Sequence, residues 1–169
     1  MKKFQRFMNN LDEKSRQIIL YVMRNRHAGI RELSEHINAP NDNYTLMKIR
    51  GIINPVSGKI LGKEILVFNE SKFDLLAGEK ILFSWWLNED FAKEKPTSFI
   101  DVFDGGDSIR IITALKIDED DMRILAENNK VAIYSNSELR QKIKLPRNVG
   151  SIIRKSYKNG ILELVLAKV

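Results

Sequence analysis

The chain has 169 residues, enough to bury one full core or two small ones, and its composition, 43% hydrophobic and 30% charged, is that of a folded protein. It holds no cysteine, which excludes a disulfide framework, a thiolate metal site and a cysteine nucleophile. The formal charge of +6 permits a nucleic-acid partner without requiring one, and no apolar run is long enough to cross a membrane.

Residues 1 to 70 carry twelve Lys/Arg against seven Asp/Glu, a surplus of +5, so most of the excess charge lies in the N-terminal part. The opening Met1-Lys2-Lys3-Phe4-Gln5-Arg6 lacks the apolar core of a signal peptide, so a cytoplasmic protein without a membrane partner is expected. From Asp12 to Arg26, Ile18, Ile19, Val22 and Met23 form a stripe at helical spacing. A second short helix carries Ile30, Leu33 and Ile37 on one side. After the turn residues Asn38 to Asp42, with Asp42 as N-cap, a third helix is predicted over about residues 43 to 53, with Leu46, Ile49 and Ile53 inward. Pro55 and Ser57-Gly58 are expected to stop it.

Lys59 to Phe68, broken at Gly62-Lys63, reads as a small β-hairpin. Three helices and such a hairpin make a winged helix-turn-helix domain over residues 1–70. On that arrangement Asn43, Tyr44, Thr45 and Lys48 would face double-stranded DNA, and Lys59 and Lys63 on the wing would meet phosphates. Residues 71–98 are expected to form a connecting helix, from Ser71 through Leu87, followed by a linker around Glu94-Lys95-Pro96-Thr97. The adjacent Trp85 and Trp86 admit two readings: core packing, or a homodimer interface shared with Phe4, Phe7 and Met8.

Beyond the linker the period falls to two. Strand-like arms recur at 99–103, 108–115, 122–126, 130–135, 139–145, 152–157 and 161–167, separated by Gly105-Gly106, Asn128-Asn129, Asn136-Ser137 and similar turn residues. The last pair is joined by Asn159-Gly160, which suits a type I′ turn, and sets Leu162, Leu164 and Leu166 on one face. The fold class expected is therefore α+β in two domains, with an all-β immunoglobulin-like sandwich over residues 99–169.

Two families enter at these residues. The phrase Ile30-Arg31-Glu32-Leu33-Ser34-Glu35-His36-Ile37, a turn, then Tyr44-Thr45-Leu46-Met47-Lys48-Ile49 resembles the middle of winged-helix transcription regulators, the ArsR-like ones included. Asp101-Val102-Phe103-Asp104, the acidic turn Ile117 to Met122, Asn128 to Ile133, Ile143-Lys144-Leu145-Pro146 and the hairpin Ser156-Tyr157-Lys158-Asn159-Gly160-Ile161-Leu162 are similar to the α-crystallin domain of small heat-shock proteins. That likeness implies a sandwich that binds a protein partner or client, with an apolar peptide received beside Val131, Ile133, Leu162 and Leu164 or those four simply filling the core.

Three departures restrict what the likeness implies. Leu115-Lys116-Ile117 stands where many members have Leu-Pro-Gly, the short stretch from Ser135 to Arg140 leaves no room for an exchanged strand, and no Ile-x-Ile segment follows the last strand before Val169. Swapped dimers and cages are accordingly not expected. The function anticipated is a DNA-binding transcriptional regulator with an α-crystallin-like interaction or sensing domain. The alternative is an ATP-independent holdase that uses the winged helix for protein contacts. Neither needs a cofactor or a metal, and no catalytic constellation is legible: the two histidines, His27 and His36, have no carboxylate cluster between them, and Asp118 to Asp121 reads as a solvated turn.

Overall fold

The computed structural model describes residues 2–93 and 99–169; the predicted linker Glu94 to Thr97 lies outside them. Two compact units divide the chain, Met1–Pro96 and Thr97–Val169.

In the first unit α1 (Lys2–Asn9) precedes α2 (Glu13–Asn25), whose N-terminus is capped by Asp12 accepting from the Ser15 amide at 3.1 Å. Ile18, Ile19, Val22 and Met23 are fully buried, as their spacing predicts. Strand β1 (His27–Gly29) leads into α3 (Ile30–His36). Helix α4 (Asp42–Lys48) begins one residue earlier than expected: Asn41, not Asp42, is the N-cap, accepting from the Tyr44 amide at 2.9 Å.

Pro55 does not stop this helix. A π-helical turn, Ile49–Ile53, carries it into α5 (Asn54–Leu61), with the Asn54 amide reaching back to the Ile49 carbonyl. Widening the turn accommodates a proline that has no N–H to give and whose ring crowds the preceding turn. The helix ends instead at Gly62, left-handed at φ +81°, whose amide bonds the Gly58 carbonyl at 3.2 Å. Lys59 to Leu61 are thus the end of a helix and not the arm of a hairpin.

The hairpin lies further on. Strands β2 (Leu66–Asp74) and β3 (Glu79–Leu87) pair antiparallel, and β1 adds on the far side of β3, giving the order β1-β3-β2. The helix expected over Ser71 to Leu87 is therefore corrected to two strands and a turn. Asp74 accepts hydrogen bonds from the amides of Leu76 and Ala77, and Gly78 closes the turn at φ +70°. Asn54 fixes the start of β2 by bonding both the amide and the carbonyl of Leu66. A short helix α6 (Glu89–Lys93) follows.

The second unit is a β-sandwich. Its strands are β4 (Ile100–Asp104), β5 (Ser108–Ala114), β6 (Met122–Glu127), β7 (Lys130–Ser135), β8 (Glu138–Lys144), β9 (Val149–Lys158) and β10 (Ile161–Lys168). They form antiparallel sheets ordered β4-β5-β10-β9 and β6-β7-β8. Ile109, Ile111, Val131, Ile133, Ile143, Leu162, Leu164 and Leu166 fill a common core. Asn159 and Gly160 both have positive φ, at 52° and 75°, as a type I′ turn requires. Asn136 and Ser137 do the same at the β7–β8 turn, which leaves no exchanged strand between them.

Candidate functional site

Helix α4 was expected to offer its outer side to a duplex, but its rotation differs from the one the sequence suggests. Thr45 is wholly buried and its hydroxyl lies 2.8 Å from that of Ser34, so the inward stripe is Thr45, Ile49 and Ile53. The exposed strip consists of Asn43, Met47 and Arg50. Tyr44 is half-buried with the ammonium groups of Lys14 and Lys48 at 5.2 and 5.4 Å from its ring. Lys48 is drawn inward to Asp12, 3.2 Å away. Burial tends to raise the Asp12 carboxyl, but the Ser15 donors and Lys48 outweigh it and hold it below the usual carboxylate range.

Of the six residues predicted to touch DNA, Thr45 is removed by burial, and Lys48 is committed to a helix–helix ion pair. Lys59 is exposed on α5 and Lys63 half-buried just after it, so neither lies on a hairpin. Asn43 and Tyr44 keep surface positions.

The hairpin that does exist has a different chemistry. Leu75 and Leu76 in its turn are 87% and 77% exposed, and Phe73, Leu82 and Phe83 beside them are more than half exposed. Phe83 also sits at φ +46°, a left-handed conformation that a bulky side chain adopts only under strain. The turn end of β2 is held by Asp74, which is buried and meets Arg26 at 2.7 Å and His27 at 3.3 Å. Burial alone would raise its pKa; Arg26 and the turn amides lower it below the ordinary value. Lys72 lies over the Trp86 ring at 4.8 Å and bonds Glu89 at 3.0 Å. An anchored hairpin with an apolar tip is a surface suited to protein contact.

The other predicted surfaces are interior. Phe4, Phe7, Met8, Trp85 and Trp86 are all buried within the first unit, where Phe4 packs against Phe7 and Phe91. Core packing is thus the reading of the tryptophan pair that the structure favours. Val131, Ile133, Leu162 and Leu164 are wholly buried in the sandwich core and line no open groove. Among the described residues no cluster of three His, Asp or Glu is placed to hold a metal, and no helix is long and apolar enough to cross a membrane.

No protein-family model matches the chain, and no curated protein matches it. Solved structures do. Heat shock protein 16.0 from Schizosaccharomyces pombe is 19% identical over 44% of this chain and 89% of its own, with a TM-score of 0.35. A mutant of hsp14.1 from Sulfolobus solfatataricus P2 is 18% identical over 48% of this chain and 77% of its own, with a TM-score of 0.37. Both neighbours are small heat-shock proteins.

Sequence reasoning missed Phe73, Leu75, Leu76, Leu82 and Phe83 as a surface because it placed them on a connecting helix. The signal available was the pair Asp74 and Gly78, turn-forming residues that flank the three residues Leu75-Leu76-Ala77.

Proposed function

We propose that this chain is a non-enzymatic, protein-binding protein of the holdase kind, in which an α-crystallin-type sandwich is joined to a winged-helix unit used for protein contact. The observation that carries the reading is the β2–β3 hairpin: where a duplex-binding wing would present cations, this one exposes Phe73, Leu75, Leu76, Leu82 and Phe83. Support for the winged-helix form comes from the order α2, β1, α3, α4–α5, β2, β3 with the sheet order β1-β3-β2. Support for the α-crystallin type comes from the seven-strand sandwich and the Asn159-Gly160 hairpin that closes it.

A heat-labile client enzyme warmed with the full chain tests the proposal by light scattering. Suppression at near-equal molar ratio is expected, and the variant Leu75→Ser/Leu76→Ser should suppress less while keeping its fold. Unchanged aggregation of the client with the unaltered chain would sink it.

A second reading, a DNA-binding regulator with the sandwich as its interaction domain, is favoured by the exposed Asn43 on α4, Arg50 in the π-helical turn and Lys59 on α5. Gel shifts with duplex fragments at low salt decide it: a retarded band lost in Arg50→Ala/Lys59→Ala supports the regulator, and no band removes it.

A further inference from the structure

The outer face of the three-stranded sheet β6-β7-β8 carries a feature that neither reading uses. Alternation turns Val131, Ile133 and Ile143 into the core and leaves three cross-strand rows outside: Arg123, Tyr134 and Leu139; Leu125, Ala132 and Lys142; Glu127, Lys130 and Lys144. Arg123, Lys130, Lys142 and Lys144 are all exposed, and among the described residues none of them forms an ion pair. Glu127 shares the last row, while Glu138 is taken by Arg140 at 3.1 Å. Lys130 stands directly opposite Lys144, an arrangement that disfavours folding and that a bound anion would relieve.

Where the cations thin out, the face becomes concave. Asp121, Arg123, Leu125, Tyr134, Asn136 and Ser137 line an open depression of about 580 Å³. The Tyr134 ring is half-buried there beside apolar Leu125 and hydrogen-bonding groups of both senses. An acid at the rim repels a phosphate but accepts from the amino group of a base. Lys142 and Lys144, two residues apart on one strand, set charges about 7 Å apart, the scale of the phosphate repeat in an extended strand.

We infer that this face binds single-stranded nucleic acid, with phosphates along Lys130, Lys142, Lys144 and Arg123 and a base stacked on Tyr134 in the depression. An unpaired strand fits the surface, since its bases are free to stack on an aromatic ring beside a basic track. A duplex keeps its bases stacked inside, and an acidic peptide does not offer a ring at every repeat beside its charges, as a nucleic-acid strand does.

Fluorescence anisotropy of labelled RNA and DNA single strands of about a dozen nucleotides, titrated with the full chain across a salt series, tests the inference. Binding that weakens with salt is expected. The variant Lys142→Gln/Lys144→Gln should lower affinity and flatten the slope of log affinity on log salt by about 0.7 per cation removed. Tyr134→Ala should weaken binding by roughly five- to a hundredfold and leave the slope unchanged. All three positions face outward, so circular dichroism spectra should match those of the unaltered chain. The inference is overturned by no binding at low salt, by variants that bind like the unaltered chain, by equal affinity for duplex of the same sequence, or by full displacement with poly-glutamate. Client suppression is indifferent to these substitutions, so failure here leaves the holdase reading standing.

Discussion

This chain builds two three-stranded antiparallel sheets and dresses them in opposite ways. In the first unit β1-β3-β2 buries an acid, Asp74, at the turn end of its hairpin and exposes phenylalanine and leucine around it. In the second, β6-β7-β8 turns every large aliphatic of its middle strand inward and leaves lysine and arginine outside. The same backbone pattern thus offers one surface on which water is the poor partner and another on which an anion is the missing one. Partners of different chemistry follow from this, and one chain can hold both without competition for a face.

Deleting buried volume separates the two sheets most sharply. Ile133 is wholly enclosed on β7, so Ile133→Ala should cost about 2–5 kcal/mol of stability, read from denaturant midpoints of the second unit's transition. Leu76 on the hairpin turn is 77% exposed, so Leu76→Ser should stay within about 0.5 kcal/mol. A comparable loss at both positions would mean that the hairpin tip is packed against something in solution.

Acid and salt distinguish how each unit anchors a carboxylate. Asp74 lies buried against Arg26 and His27, whereas Asp104 is one-third exposed beside Lys168 and Arg147. Lys168 foremost, against a smaller burial effect and with Arg147 assisting, lowers the Asp104 carboxyl; at Asp74 the opposing burial effect is the largest contribution, overcome by Arg26 and the turn amides. Both groups have depressed values in the folded chain and regain about 3.9 on unfolding. Each therefore adds stability above that value, and the contribution is lost as the pH falls through the folded values. Denaturation at pH 7 and in acid should show Asp74→Asn and Asp104→Asn destabilising at neutrality and becoming neutral in acid. At 1 M salt, where the screening length is about 3 Å, the Asp104→Asn penalty should shrink and the Asp74→Asn penalty persist.

The two sheets were also unequally legible in the sequence. Residues 99–169 alternate cleanly and are punctuated by Asn-Gly, Asn-Ser and Gly-Gly, so all seven strands fall within three residues of their expected ends. The segment 71–87 defeats the same logic because periodicity assumes that apolar side chains point inward. Leu75, Leu76, Leu82 and Phe83 point out, and the left-handed Phe83 interrupts the alternation of its strand. Helix α4 was found but turned by one residue, since a hydroxyl pair between Ser34 and Thr45 lets a polar residue occupy the inner stripe. The basic face was overlooked although its mark is plain: Lys142-Ile143-Lys144-Leu145 alternates charge with core residue, and attention to the core half hid the other.

The smallest effect tests whether that basic face is kept at a cost. Lys130 and Lys144 are cross-strand partners, and two like charges so placed destabilise a sheet by a few tenths of a kcal/mol up to about 1. Glu127, opposite Lys130 on its other side, relieves part of this. Replacing Lys144 by glutamine removes the repulsion without touching the core, so Lys144→Gln should raise the melting temperature of the second unit slightly at low salt and not at all at high salt. The same substitution should weaken single-strand binding. A variant that is more stable and binds less well would identify Lys144 as a residue whose charge serves a ligand at the expense of the sheet, whereas a fall in melting temperature would show that Glu127 had already balanced the row.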